Sequence, residues 1–323
     1  MKIFITGATG FIGVALTNLL VKSGYQVCVL LRNEKKRSLL PECVDVIAGD
    51  LSIFENKDLV LPPFDIVIHL AGAIFAPTNK GYLHYNYSAT VHLINCIKRQ
   101  KWTLSKFIFT SSLAASGPSV YGDTMTELYN ANPIEPYGKS KRFVEEYLDT
   151  LNDFPCVSIR PAIVLGPGDY NTLKLFKMVN KGFGVLVNGK LQEISFIDID
   201  DLLNAYICII QKPMNGHKIY FVSHADKITN KDLFFTIASI MNKQIKLIHL
   251  PQFLLFGTML TTTFFSKLFR FVNVLDFKQY KHMTSNFVCS SVQFETDFNW
   301  KAQNDLNSSI QKAYKGYLEL GML

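Results

Sequence analysis

A tyrosine and a lysine four residues apart, Tyr137 and Lys141, lie in the run Pro136-Tyr137-Gly138-Lys139-Ser140-Lys141. On a helix this spacing puts both side chains on one face, one turn apart. A phenol beside an ammonium can pass a proton. The cation favours phenolate, so the Tyr137 pKa is expected to fall from about 10 towards neutrality. A fall of about 3 units corresponds to roughly 4 kcal/mol of differential stabilisation. It would bring the group near the operating pH, where a general acid–base works best. A further hydroxyl lies upstream, where Thr110-Ser111-Ser112 follows the apolar run Phe107-Ile108-Phe109. At the end of a buried strand, such a hydroxyl could hydrogen-bond a substrate oxygen. Tyr-x-x-x-Lys is common, so the pair gains meaning only from the elements that position it.

Those elements begin at the N-terminus. Residues 2–6 read as a buried strand, followed by Thr6-Gly7-Ala8-Thr9-Gly10-Phe11-Ile12-Gly13 and then Val14, Leu16, Leu19 and Leu20 at helical spacing. In this strand, glycine-rich turn and helix, Gly7 permits a tight turn. Gly10 lets backbone approach a pyrophosphate, and Gly13 lets the helix pack on the strand. The helix N-terminus offers N–H groups to phosphate. A second strand, 26–31, ends in Arg32, with Lys35, Lys36 and Arg37 behind it. A basic residue at this tip accommodates the 2′-phosphate of NADP, where an acidic one would bind the ribose hydroxyl of NAD. NADP(H) is therefore expected, with NAD(H) as the alternative.

Strands are also expected at 44–48, 65–70, 106–110, 156–159 and 218–222. A helix is expected over 82–98, with Asn86 in its early part, and another from Tyr137 to about residue 151. Gly49-Asp50-Leu51 follows the third strand, where Asp50 could accept the adenine amino group or cap the next turn. Leu70-Ala71-Gly72 follows the fourth and is small enough for a cofactor to lie against. Strands alternating with helices imply right-handed crossovers and a doubly wound parallel sheet of the α/β class. Ligands then sit at the carboxyl ends of the strands. Those ends collect Gly7, Arg32, Asp50, Gly72, Ser112 and Arg160 on one edge.

The 323 residues, 48% hydrophobic and 18% charged, fit a globular chain with a sizeable core. The net charge of +7 is scattered, which argues for a solvated basic surface over a nucleic-acid site. The cysteines at 28, 43, 96, 156, 208 and 289 show no metal-ligand spacing, so no metal is expected. Buried thiols fit a reducing cytoplasm. No signal peptide is read at the N-terminus, and no apolar run reaches the ~18 residues that span a bilayer.

Several motifs together resemble the extended short-chain dehydrogenases/reductases, often labelled NAD-dependent epimerase/dehydratase proteins. They are the glycine-rich turn at 6–13, His69-Leu70-Ala71-Gly72, Ser111-Ser112, Tyr137-Gly138-Lys139-Ser140-Lys141 and Arg160-Pro161. The resemblance is clear over about residues 1–222. It implies a Rossmann-type domain over 1–165 plus about 196–222, and a smaller substrate-binding domain over about 166–195 plus 223–323. It implies Ser112, Tyr137 and Lys141 as the catalytic triad: Tyr137 the acid–base, Lys141 on the nicotinamide ribose and Ser112 on the reacting C–O. Asn86 resembles the residue that helps order the lysine and its proton-relay water. Cofactor contacts would come from Gly7, Thr9, Gly10, Phe11, Ile12, Gly13, Arg32, Asp50, Leu51, Leu70, Ala71, Gly72, Tyr137, Lys141 and Arg160.

Departures narrow the reading. Sugar 4,6-dehydratases carry Asp-Glu after the serine or threonine, where this chain has Leu113-Ala114. UDP-galactose epimerase types often carry lysine where Ile74 stands, and an asparagine contact to the sugar-nucleotide diphosphate where Pro161-Ala162 stands. Arg160-Pro161 is similar to the 3β-hydroxysteroid dehydrogenase and dihydroflavonol reductase branch. Asp198 replaces the usual histidine in Phe196-Ile197-Asp198-Ile199-Asp200-Asp201. These carboxylates read as helix N-terminal charges rather than a metal cluster. The apolar stretch 253–270 could be a core helix, a lid over the substrate or a membrane-surface contact flanked by Lys267 and Arg270.

The expected function is interconversion of a ketone and a secondary alcohol on a largely apolar small molecule. The rivals are a nucleotide-sugar epimerase with tightly held NAD and a non-catalytic dinucleotide sensor. A homodimer is an open alternative to a monomer.

Overall fold

The computed structural model describes residues 1–187, 191–251 and 284–323. Its centre is a parallel sheet of seven strands: β1 (Lys2–Thr6), β2 (Gln26–Leu31), β3 (Asp45–Ala48), β4 (Ile66–His69), β5 (Lys106–Thr110), β6 (Cys156–Pro161) and β10 (His217–Val222). Their spatial order is β10-β6-β5-β4-β1-β2-β3. The chain winds outward to β3, returns to β4 beside β1, and winds the other way to β10. The direction reverses between β1 and β4, and a crevice at the carboxyl ends of those two strands is where such sheets bind ligands.

Both faces of the sheet are covered, so its strands are continuous apolar runs in sequence and sort their side chains only in space. Ile3, Ile5, Val27, Val29, Ile66, Ile68, Ile108 and Val157 point to one core. There they meet Leu16 and Leu20 of α1 (Phe11–Lys22) and Leu202, Tyr206 and Ile209 of α6 (Ile199–Gln211). Phe4, Cys28, Val67, Phe107 and Phe109 point to the other core. There they meet Leu93, Ile94 and Ile97 of α3 (Ala89–Arg99) and Val144 and Leu148 of α4 (Pro136–Asp149).

A second body is built from α5 (Tyr170–Asn180), β8 (Phe183–Val187), α7 (Asn230–Ile240), β12 (Lys246–Leu250) and α9 (Leu306–Glu319). Its own core holds Phe176, Leu186, Phe234, Ile237, Ile310 and Tyr317. The helix α8 (Val292–Phe298) does not join this body. Phe294, Phe298 and Trp300 bury themselves in the main core, with the Phe294 and Phe298 rings each edge-on to Tyr220.

The loop leaving β7 (Ile163–Leu165) runs between these bodies. A Cβ on Gly166 would stand 3.3 Å from the Phe11 ring. A Cβ on Gly316 would stand 2.4 Å from the Pro167 ring. The Tyr317 hydroxyl donates to the Asp169 carbonyl at 2.6 Å.

Asp198 caps α6, accepting from the Asp200 N–H at 2.8 Å. Lys312 pairs with Asp198 and Asp200, and Asp201 accepts the N–H groups of Gln303 and Asn304. The three carboxylates therefore serve the helix start and its neighbours. Among the described residues, no helix is long and apolar enough to cross a membrane. The stretch 253–270 lies outside the described residues.

Candidate active site

The carboxyl edge of the sheet is shaped for close approach. Gly7 has φ +79°, and a Cβ there would stand 2.6 Å from the Ala71 nitrogen. A Cβ on Gly13 would stand 2.2 Å from the Gly7 carbonyl oxygen. Both positions require glycine, and they bring the turn, β4 and α1 into backbone contact. Gly10 caps α1 without a side-chain hydrogen bond, and the first turn of α1 carries no acidic residue. The N–H groups of Phe11, Ile12 and Gly13 thus open the helix with no intrahelical acceptor, which suits a phosphate. Thr9, Leu70 and Ala71 are half-buried along this crevice, and Gly10 and Gly72 are exposed.

At the far end of the crevice, Arg32 is exposed at the tip of β2. It lies close enough to Asp50 to help hold that carboxyl below its usual range. The larger causes of that lowering are the hydrogen bonds from Ser52. Asp50 caps the turn at Leu51–Glu55, accepting from Ser52 N at 2.9 Å and Ser52 Oγ at 2.6 Å. Of the two openings left for Asp50, the cap is the one this geometry fills. Leu51 is half-buried against the second core. Arg37, from the same basic run as Arg32, donates to the carbonyls of Leu40, Pro41, Glu42 and Val44 and so holds its own loop.

Ser112, Tyr137 and Lys141 come together near the middle of this edge. Ser112 follows β5 and caps a short 3-10 turn, Leu113–Ala115. A Cβ on Gly138 would stand 2.2 Å from the Ala114 carbonyl oxygen, so α4 sits against that turn at backbone distance. The contact brings the Tyr137 phenol close enough to the Ser112 hydroxyl for that hydroxyl to act on its pKa. One turn along α4, the Lys141 ammonium donates to the Thr110 carbonyl at 2.8 Å and lies 4.7 Å from the Phe109 ring centroid. Above it is Gly72, where a Cβ would stand 3.0 Å from Nζ.

The expected fall in the Tyr137 pKa is not what the structure gives. Burial pushes the phenol up to about 12, against the lowering effect of the nearby Ser112 hydroxyl and with upward contributions from Glu135 and Tyr82. Desolvation is the largest influence on the phenol, and it favours the neutral form. Burial also lowers Lys141, to about 8, partly offset by the Glu145 carboxylate.

Asn86 stands in a π-helical turn, Leu83–Ser88, between α2 (Asn79–Tyr82) and α3, where sequence spacing predicts one uninterrupted α-helix. The wider turn accompanies the bonds its amide makes. Oδ1 accepts from Ala73 N at 2.6 Å, and Nδ2 donates to the Ala73 carbonyl and, at 2.8 Å, to Ser140 Oγ. Asn86 therefore ties the loop carrying Gly72 to the helix carrying Tyr137 and Lys141.

Sequence reasoning missed several groups here. The Thr90 hydroxyl has one proton and gives it to the Asn86 carbonyl at 2.5 Å. His69 Nε2, 2.8 Å away, must then be the donor to Thr90. His69 Nδ1 therefore accepts from the Thr6 hydroxyl at 2.6 Å. This directed chain joins the start of the glycine-rich turn to Asn86. Burial, with Lys141 nearby, drives the His69 pKa down to about 3, so the ring is neutral.

Arg160 is also placed differently from a cofactor ligand. Its Nε and Nη2 donate to the two oxygens of Glu145 at 2.8 and 2.6 Å, and its Nη1 donates to Ser116 Oγ at 3.0 Å. Neither Glu145 nor Ser116 lies in a motif the sequence singles out. The apolar run before Ser111 and the Arg-Pro pair were the only signals there.

The sequence profile of the NAD dependent epimerase/dehydratase family matches residues 3–223. A ceramide reductase of Caulobacter vibrioides is 27% identical over 249 residues, covering 77% of this chain and 73% of that protein. A UDP-glucose 4-epimerase of Vibrio cholerae is 25% identical over 336 residues, covering 98% and 96%. A crystal structure titled gox2253 superposes with TM-score 0.82 at 20% identity, covering 100% of this chain and 99% of that one.

Proposed function

This chain belongs to the NAD dependent epimerase/dehydratase family, as an enzyme of the extended short-chain dehydrogenase/reductase type, and from that premise we propose that it reduces a ketone on a largely apolar molecule, or oxidises the matching alcohol, with NADP(H). The Ser112 hydroxyl near the Tyr137 phenol, with a buried Lys141 one turn along under Gly72, carries the redox reading. When bound, the nicotinamide supplies or accepts the hydride. The Ser112 and Tyr137 hydroxyls hold the substrate oxygen, and Tyr137, protonated at neutral pH, delivers its proton to it. Lys141, three donors with one on Thr110, would offer the others to the nicotinamide ribose. The glycine-rich turn and the first N–H groups of α1 would hold the pyrophosphate. Arg32 would take the 2′-phosphate. The second body forms the substrate side.

Ile74 and Phe75 carry the apolar part of the proposal. They are 69% and 49% exposed on the loop that follows Gly72. The Tyr82 hydroxyl donates to the Ile74 carbonyl, and Tyr82 acts electrostatically on Tyr137. Tyr82 thus links this exposed apolar loop to the phenol's surroundings, and such a loop favours ligands that bury apolar surface, by about 25 cal/mol per Å². The kinship with a ceramide reductase supports the same class, while the long match to a UDP-glucose 4-epimerase favours the rival.

The test is thermal shift and turnover with NADPH and NADH, using a ketone form of ceramide and UDP-glucose. Oxidation of NADPH by the ketone is expected. Stabilisation and 4-epimerisation of UDP-glucose with no net cofactor turnover, and no response to the ketone, would promote the epimerase.

A further inference from the structure

Ser112 and Tyr137 sit on separate elements, a strand end and a helix, and the Ser112 hydroxyl stays near the phenol only if those elements keep a fixed separation. One buried cluster spans the gap. Glu145, two turns beyond Tyr137 on α4, accepts from Ser111 Oγ at 2.6 Å. It also takes the forked pair of bonds from Arg160 of β6, which in turn donates to Ser116. Ser111 immediately precedes Ser112, and Ser116 follows the 3-10 turn that Ser112 opens. The segment bearing Ser112 is thus held on both sides, through Ser111 by Glu145 directly and through Ser116 by way of Arg160. All four side chains are at most 3% exposed. The planar fork fixes direction as well as distance. The Arg160 guanidinium further lies 5.4 Å from the Phe221 ring centroid, which backs it from β10.

We propose that Glu145 and Arg160 are positioning residues, a clamp that sets the Ser112 hydroxyl against the Tyr137 phenol. The inference rests on reading Ser112, Tyr137 and Lys141 as the catalytic residues. Arg160 then acts through Glu145 and Ser116, which engage its Nε, Nη1 and Nη2. Ser111 is the lightest point at which to loosen the clamp. Ser111→Ala removes one bond and leaves the ion pair intact.

The experiment compares wild type with Ser111→Ala, Ser116→Ala, Glu145→Gln and Tyr137→Phe. Melting temperature, NADPH affinity by calorimetry, and kcat and KM for the ceramide-derived ketone and for UDP-glucose are measured, with a crystal structure of Ser111→Ala. The expected result for Ser111→Ala is a kcat lower by about tenfold, and for Glu145→Gln by about 10²-fold, the loss that goes with a 1 Å misplacement. NADPH affinity and KM should stay near wild type, a split that general destabilisation does not give. If Glu145→Gln does not fold, Ser111→Ala and Ser116→Ala decide the matter. Unchanged kcat in folded Ser111→Ala and Ser116→Ala, or a Ser112–Tyr137 separation unchanged in the Ser111→Ala crystal, overturns the clamp. If Tyr137→Phe is also fully active, the catalytic reading itself has failed. If neither probe turns over, the crystal structure alone decides.

Discussion

Gly72 and Lys141 face each other so closely that one added carbon on the glycine would stand 3.0 Å from the ammonium nitrogen and 3.3 Å from Asn86 Oδ1. The glycine is required by what lies beneath it, since its backbone has no positive φ. The proposed ribose seat is the surface this bare position leaves open. Gly72→Val should therefore weaken NADPH binding by about tenfold or more, equivalent to roughly 1.4 kcal/mol, and by crowding Lys141 and Asn86 it should also lower the melting temperature. Equal calorimetric affinity in the variant and wild type would place the cofactor elsewhere.

Tyr137→Phe deletes one hydroxyl from a half-buried ring. The fold should persist, and turnover should drop by the ~10²–10⁴-fold typical of a lost acid–base group. Lys141→Met should lower both turnover and cofactor affinity. Steady-state kinetics on the ceramide-derived ketone, together with circular dichroism, separate these losses from unfolding.

Two buried bases give a pH dependence of defined sign. Lys141 falls to about 8 in the fold, against about 10.4 in the unfolded chain. Between these values the unfolded state holds more protons, so this group's contribution to stability rises with pH there. Cofactor affinity should run the other way, falling as pH passes about 8 and the ammonium is lost. Calorimetry across that range should show the slope in wild type and not in Lys141→Met. His69, neutral down to about 3, contributes stability that is complete above about pH 6.5 and is lost as acid protonates the unfolded chain first. The melting temperature of His69→Gln should accordingly depend less on pH on the acid side.

Arg32 is exposed, whereas Arg37 is bound to four carbonyls of its own loop. Arg32→Asp should therefore leave stability unchanged and shift preference from NADPH towards NADH. A wild type that already binds NADH more tightly than NADPH would remove Arg32 from the cofactor site.

Features with local causes were legible in the sequence. The glycine-rich turn was visible because a left-handed φ at Gly7 and a backbone contact at Gly13 each exclude side chains. The seven strands were visible as apolar runs, and Tyr137 with Lys141 by helical spacing. What depended on distant partners was not visible. Arg160 meets Glu145 and Ser116, 15 and 44 residues away, and nothing in Arg-Pro names them. The rise of the Tyr137 pKa comes from desolvation, a property of the packed site, where spacing alone showed only the nearby lysine. The π-turn at Asn86 follows from bonds to Ala73 and Ser140, which no helical periodicity records. Helix α8 carries an aromatic pattern that could cover either body, and contact with Tyr220 places it on the main sheet.

The loop at 166–169, backed by Phe11 on one side and by Gly316 and Tyr317 on the other, also orders events on the ribosome. Residues 7–13 emerge first, yet the wall behind Phe11 rests on a helix made some three hundred residues later. Synthesis runs at about 5–20 residues per second. The nascent nucleotide turn therefore waits tens of seconds for its last support. A nascent chain carrying only the seven strands of the main sheet would hold the glycines, the Tyr137 helix and the 166–169 loop against Phe11, but that loop would lack the support of Gly316 and Tyr317, and the chain should acquire tight cofactor binding only when α9 docks.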